Sequence, residues 1–348
     1  MNVKVLILAG GSGTRFWPKS TEEKPKQFLN ITSDDKTMIQ ETFSRALKIT
    51  NRENVYVVTN EKQTHHIFEQ LDLPKSNVIM EPAAKNTAAA IALGILKMNE
   101  NNVVVVLPSD HYIKDVNEYV KTLETAAEFA NKNEAIVTLG IKPTRAETGY
   151  GYIEINRDAI AGSNRNLDSF KKSIPLKVER FREKPNLETA YSYVESGNFF
   201  WNSGMFIFKV STMWKAFEKH MPALYKALKN VKSREELEEA YSTLDSVSID
   251  YGIMEKFENV FVIPGDFGWN DVGSWDAVYE LVEKDENGNY SSSEKTIFRN
   301  AKNCAVFADG KEVAIAHVDD IIVVVHDGKV LVIKRGTTQD VKKISEKF

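Results

Sequence analysis

From Val3 to Leu139 the chain alternates short β-branched runs with stretches of helical periodicity, and this alternation narrows the possible folds more than any other feature. Val3–Leu8, Asn54–Thr59, Asn77–Met80, Val103–Leu107 and Ala135–Leu139 read as buried strands. Thr37–Lys48, Glu61–Leu71, Thr87–Asn99 and Val116–Lys132 read as the helices between them. Such an order predicts an α/β fold with a Rossmann-like, mostly parallel sheet, covered on both faces and joined by right-handed crossovers. Ligands of such sheets bind beyond the carboxyl ends of the strands, so the loops leaving Leu8, Met80 and Leu107 are where chemistry is expected.

The middle of the chain is less regular. Gly151–Ile155 and Met205–Lys209 read as strands, and Leu187–Glu195 and Arg234–Leu244 as helices. The polar break Lys284-Asp285-Glu286-Asn287-Gly288-Asn289 then reads as a linker. It divides a catalytic domain, 1–283, from a small β-rich domain, 291–348, which suits the length of 348 residues. In the second part, runs at Ala305–Phe307, Val313–Ala316, Ile321–Val325 and Val330–Ile333 are short strands with turns at Asp309-Gly310 and Asp327-Gly328, followed by a helix near Gln339–Lys347. Their even spacing leaves a meander and a β-helix, including a short left-handed one, both open.

Composition works mainly by exclusion. Acids and bases are interspersed and the net charge is −4, which argues against binding polymeric nucleic acid. No apolar run reaches a membrane-spanning length, and Val3–Ala9 is too short for a secretory signal. The one cysteine, Cys304, excludes an internal disulfide, and together these features predict a cytoplasmic protein.

The first strand runs into Gly10-Gly11-Ser12-Gly13-Thr14-Arg15. Glycines at a strand end let backbone N–H groups turn toward phosphate oxygens. A dinucleotide fingerprint would need glycine where Phe16 stands, and a P-loop would need Gly-Lys where Arg15-Phe16 or Phe16-Trp17 stands, so both lose ground. Arg15 and, further on, Lys24-Pro25-Lys26 supply cations suited to phosphate. The plainer reading is a tight turn followed by solvated basic residues.

The loop, continued through Pro25-Lys26-Gln27-Phe28-Leu29, resembles the pyrophosphorylase loop of the sugar nucleotidylyltransferases, in the form seen in mannose-1-phosphate guanylyltransferases. The resemblance continues through Glu81-Pro82-Ala83-Ala84-Lys85-Asn86-Thr87-Ala88, Leu107-Pro108-Ser109-Asp110-His111 and Gly149-Tyr150-Gly151-Tyr152-Ile153. It extends to Arg182-Glu183-Lys184-Pro185, Trp201-Asn202-Ser203-Gly204-Met205 and Gly268-Trp269-Asn270-Asp271-Val272-Gly273-Ser274-Trp275. It implies a sheet of the nucleotide-diphospho-sugar transferase type.

The resemblance also implies roles. Arg15 and Lys26 would act on the triphosphate as catalytic cations. Leu8, Gly10, Gly11, Gly13, Thr14, Glu81, Pro82, Asn86, Ala88 and Asp110 would bind the nucleotide. Gly149, Glu183, Lys184 and Asn202 would bind the sugar phosphate. Asp110 and Asp271 would hold Mg²⁺, which takes oxygen ligands and usually only one or two protein carboxylates. A carboxylate at Glu81 can accept from guanine's ring N–H and exocyclic amine, a donor pair that adenine lacks. Without the resemblance, Asn86 reads as a helix cap, either aspartate as a turn residue, and Arg182-Glu183-Lys184 as a solvated charge run.

The implied reaction is GTP plus mannose 1-phosphate giving GDP-mannose and pyrophosphate. Another sugar 1-phosphate with dTTP or UTP stays open, as does a non-catalytic subunit that binds a sugar nucleotide. Exposed edges in the β-rich tail predict a homodimer through that region. His65-His66 with Glu69 reads as an exposed helix face, His317 and His326 lack a companion glutamate for a metal site, and Cys304 reads as packing.

Overall fold

The computed structural model describes residues 1–11, 13–33, 35–156 and 174–348, so Ser12 of the glycine loop lies outside the described residues. In chain order the strands are β1 (Val3–Leu8), β2 (Val55–Asn60), β3 (Val78–Glu81), β4 (Val103–Pro108), β5 (Tyr112–Ile113), β6 (Ile136–Ile141), β7 (Gly151–Ile155), β8 (Leu176–Glu183), β9 (Phe199–Lys209), β10 (Val260–Gly265) and β11 (Trp269–Asn270). The tail adds β12 (Tyr290–Ser291), β13 (Thr296–Arg299), β14 (Ala305–Ala308), β15 (Val313–Ala316), β16 (Ile321–His326) and β17 (Lys329–Lys334).

The chain forms two compact units, one made of 1–10, 42–109 and 113–269, the other of 11–41, 110–112 and 270–348. The first holds a nine-stranded sheet in the order β3-β2-β1-β4-β9-β6-β10-β8-β7. Strands β1 to β4 pair in parallel, as do β6 and β10. β9, however, is antiparallel to both β4 and β6, and β8 is antiparallel to β10 and β7. The sheet is therefore mixed, a correction to the mostly parallel sheet expected from the alternation. Burial explains why the pattern could not reveal this: Val103–Val106 are fully covered on both faces, and a strand buried on both sides looks the same whichever way its neighbour runs. Each such side chain contributes about 1.5–3 kcal/mol of transfer free energy.

The expected first-half helices are present as Met38–Ala46, Thr64–Gln70, Asn86–Ile95 and Val116–Lys132, the last capped by Asp115, whose Oδ1 accepts from Asn117 and Glu118 N–H at 3.0 Å. The sequence reading missed β8 and β10 and the helices Val210–His220 and Pro222–Leu228. It also started β9 six residues late, at Met205 rather than Phe199.

In the second unit, Trp275 organises the core. Its ring meets Phe16 edge-on at 5.1 Å and Phe307 at 4.7 Å, and its Nε1–H donates to the Trp17 carbonyl at 3.2 Å. Residues of the glycine loop and of the C-terminal strands thus share one hydrophobic cluster with Val272, Ile322, Val324 and Leu331. The polar break is an ordered turn: Gly288 N–H donates to the Asp285 carbonyl at 3.0 Å and Tyr279 Oη to the Gly288 carbonyl at 2.7 Å.

The tail strands stack in parallel, with Tyr290 opposite Ala305, Ala305 opposite Ile322, and Thr296 opposite Val313. A meander needs antiparallel neighbours, and only β16 and β17 supply them, with His326 opposite Lys329 around Asp327-Gly328. Both turn residues have positive φ, 49° and 73°, as a two-residue hairpin requires. Asp309-Gly310 is not a hairpin: it carries the chain from β14 to β15, which belong to different sheets.

Candidate active site

Strands β1 to β4 end on one edge, with Leu8 opposite Pro108 and Asn60 opposite Glu81. Leu8 accepts from the Ser109 N–H at 3.1 Å, so the segments leading to Gly10 and to Asp110 leave the sheet side by side. The loops singled out in the sequence therefore depart where α/β sheets place their ligands.

In the second unit, the glycine loop closes on the segment carrying Lys26. Gly13 has φ 53°, and a Cβ there would stand 2.6 Å from the Lys26 backbone nitrogen, so both conformation and space demand glycine. Gln27 Nε2 donates to the Gly11 carbonyl at 3.0 Å, tying the two ends together. Thr14 opens the 3₁₀ turn Thr14–Phe16, and Arg15 stands exposed on it.

Lys26 is buried, an unusual place for a lysine. Its ammonium donates to Asp110 Oδ2 at 3.0 Å and to the Asp271 backbone carbonyl at 2.7 Å. Burial pushes the Asp110 carboxyl up, but Lys26, His111 and Arg15 together outweigh it and hold the group below its ordinary value. Asp110 is thus a carboxylate at neutral pH. Asp271 Oδ1 accepts the Gly273 N–H at 3.2 Å.

The neighbouring Val272 has φ 49°, a rare conformation for a β-branched residue, and is kept there by full burial and by its N–H bond to Asn270 Oδ1 at 2.7 Å. Strain of this kind costs roughly 1–3 kcal/mol and concentrates at functional sites. Among the described residues no group of three His, Cys, Asp or Glu could hold a metal ion. The donor set nonetheless fits Mg²⁺: Asp110 is anionic, the Asp271 backbone meets the same Lys26 ammonium, and Mg²⁺ needs few protein ligands when phosphate and water complete its shell.

In the first unit, Glu81 ends β3 nearly buried, and its Oε2 lies 3.4 Å from where a Gly10 Cβ would be. Burial pushes its carboxyl up to about 7, against the opposing effect of a hydrogen bond from Tyr241 Oη at 3.3 Å. Tyr241 was not legible as a site residue, because its place among Leu237 and Leu244 at helical spacing reads as core.

Asn86 adopts φ 67° and turns its Oδ1 onto the Thr87 N–H at 2.8 Å, so it shapes the helix start while staying exposed. Pro82 is half-buried between them. Ala88 is fully buried and its N–H donates to the Val247 carbonyl at 3.3 Å.

A second group in this unit collects at the ends of β8, β6 and β9. Glu183 lies opposite Gly151, where a Cβ would come within 2.5 Å of Glu183 Oε2; glycine at that position makes room for the carboxylate. Lys184 Nζ pairs with Glu183 Oε1 at 2.7 Å. Burial would lower the Lys184 ammonium, but Glu183 and Asp250 hold it above its ordinary value. Gly149 is exposed and its N–H donates to Glu147 Oε1 at 3.1 Å. Asn202 sits opposite Gly140, beside a bulge in the β6–β9 pairing. Its Nδ2 donates to Asp250 Oδ1 at 3.0 Å. Asp250 opens a π-helical turn, Asp250–Met254, and the sequence carried no signal for it.

The weaker constellations stay outside this picture. His66 faces an exposed Glu69 at 3.7 Å, and His326 and Lys19 both engage Asp309, at 2.6 and 2.9 Å. Cys304 is buried, which raises its thiol above the ordinary range.

Comparison with known proteins agrees with the geometry. The family model for nucleotidyl transferases matches residues 4–288. A mannose-1-phosphate guanylyltransferase of Salmonella montevideo is 39% identical, over 99% of this chain and 73% of that protein. One from Escherichia coli is 37% identical, over 97% and 74%. A crystal structure described as a mannose-1-phosphate geranyltransferase from Thermus thermophilus superposes with a TM-score of 0.88 at 31% identity, covering 100% of this chain and 99% of that one. A glycine loop closed on a buried lysine, an anionic aspartate beside it and a family match spanning all of these positions lead to one conclusion: the chain belongs to the nucleotidyl transferase family and is a nucleotidyltransferase enzyme.

Proposed function

We propose that this enzyme transfers GMP from GTP to mannose 1-phosphate, giving GDP-mannose and pyrophosphate. The observation that carries the reading is Lys26, a buried ammonium shared between the Asp110 carboxylate and the Asp271 carbonyl. The names of the relatives supply the sugar and the base, and Glu81 at the end of β3 matches guanine's two adjacent donors.

A phosphate oxygen of the sugar phosphate forms a bond to the α-phosphorus as the bond to the β-phosphate oxygen breaks, and pyrophosphate leaves with that electron pair. The attacking oxygen is already anionic, so no general base is needed. The barrier lies in bringing anions together and supporting charge on the leaving group, which is work for positioned cations. Arg15 and Lys26 face the triphosphate, with the backbone of Gly11, Gly13 and Thr14 around it. Leu8, Gly10, Pro82 and Asn86 flank the nucleoside, and Lys184, with Gly149 and Glu183, holds the sugar phosphate. Asp110 and Asp271 would hold Mg²⁺, which when bound neutralises phosphate charge.

The catalytic segment is 1–283 and the β-rich segment 291–348, the latter wound as a short left-handed β-helix; the enzyme works in the cytoplasm as a homodimer.

Pyrophosphate release across GTP, ATP, UTP and dTTP, each with mannose 1-phosphate and glucose 1-phosphate, tests the reading. Fastest turnover is expected for GTP with mannose 1-phosphate. Preference for another pair overturns the substrate assignment, and GDP-mannose binding without pyrophosphate release in Mg²⁺ overturns catalysis.

A further inference from the structure

Asn202 is held by its neighbours in a way that points to a further residue of the same site. An amide oxygen has two lone pairs. Both are spent inside the protein, one on Thr138 Oγ1 at 3.0 Å and one on the Gly204 N–H at 3.2 Å. Thr138 is fully buried in β6, so this contact is fixed by the sheet itself. Flipping the amide would set its NH₂ against the Gly204 N–H and its oxygen against the Asp250 carboxyl, so Nδ2 faces Asp250 Oδ1. One of its two amide N–H donors thus holds a carboxylate, and Asn202 is the one side chain among the described residues that donates to Asp250.

The environment of that carboxylate is informative. Burial and the facing Glu183 push the Asp250 carboxyl up to about 6, with Lys184 and Asn202 opposing. The Glu183 side chain is 9% exposed and already carries Lys184. Two acids face each other here at a cost in repulsion, beside one ammonium. The π-helical turn at Asp250–Met254 adds to this, since such turns are rare and recur at functional sites. Hydroxyl donors relieve the repulsion between paired acceptors, and a polyol carries several on one rigid frame. An ammonium alongside suits a phosphate.

We propose that Asp250, held by Asn202 and Thr138, is a sugar-binding residue that accepts a hydrogen bond from a ring hydroxyl of the hexose 1-phosphate and sets discrimination among hexoses. Asn202 and Thr138 are positioning residues. This rests on the proposed reaction, deepening its sugar site. A site built to accept from a hydroxyl loses far more when that hydroxyl is misplaced than an apolar pocket does, because the buried acceptor is left unpaired.

The test is Asp250→Asn, which keeps shape and removes charge, assayed with whichever nucleotide and hexose 1-phosphate the wild type turns over. The KM for the hexose 1-phosphate should rise roughly 10- to 100-fold, with the nucleotide KM unmoved, Tm not lowered, and the ratio of kcat/KM between the two epimeric hexose phosphates reduced. An unchanged sugar KM, or both KM values rising together, overturns the proposal. Should D250N not fold, Thr138→Val loosens the same carboxylate from behind: a rise in sugar KM alone supports the assignment, and an unchanged sugar KM overturns it. A wild type that prefers another hexose refutes the substrate reading above and leaves this test intact.

Discussion

Glu81 shows how one side chain can be costly to the fold and useful to the site. Its carboxyl is pushed up to about 7 by burial, so the folded chain holds that proton more tightly than the unfolded chain does. Stability is then greatest at low pH and falls as pH rises from the ordinary carboxyl value through about 7, above which the full penalty applies. Glu81→Gln has no such ionisation. Its Tm should match the wild type near pH 4.5 and exceed it by a few degrees at pH 8, a difference on the order of 2–3 kcal/mol. The proposed recognition of guanine runs the other way, because only the carboxylate accepts twice. The wild-type KM for GTP should fall as pH rises through about 7, and that component should vanish in E81Q. Melting curves and steady-state kinetics across pH check both halves; a parallel Tm profile in wild type and E81Q would remove the buried-acid account.

Among the elements, the glycine loop is where sequence and structure agree most closely, and for a physical reason. Strand β1 and the glycines after it are local features, and Gly13 is required by its own φ and by the backbone of Lys26. Gly13→Ala should therefore lower Tm, by a strain of about 1–3 kcal/mol or more, and displace Lys26. Gly11→Ala meets nothing within 4 Å and should leave Tm where it is. Equal Tm values for the two variants in differential scanning calorimetry would contradict this difference. Strand β8 is the opposite case. Leu176-Lys177-Val178-Glu179-Arg180-Phe181-Arg182-Glu183 is so charged that its pairing with β7 was not visible in the sequence, yet it delivers Glu183 and Lys184.

On the scale of the whole molecule, the C-terminal strands are part of the body that carries the glycine loop, since Phe16, Trp275 and Phe307 share a core. Removing the tail would strip that core, so the proposed homodimer is better tested by a surface change. β17 is an edge strand whose Val330 and Val332 are exposed, and edges of this kind invite pairing with a second copy. Val332→Lys should convert a dimer to a monomer in light scattering while leaving Tm within a degree or two; a dimer that persists would take this edge out of the interface.

The linear chain determined what depends on neighbours in sequence: the β-branched runs and helices of the first half, the hairpin at Asp327-Gly328, and the chemistry-bearing residue types at strand ends. Pairing direction, the division into two units, the burial of Lys26 and the contact between Asn202 and Asp250 depend on residues far apart in the chain meeting in space. Asp250 is one acid among 49 until the fold sets it beside Asn202 and opposite Glu183. Burial and charge proximity are what convert such a residue into a candidate ligand group, and both arise only once the sheet has closed around it.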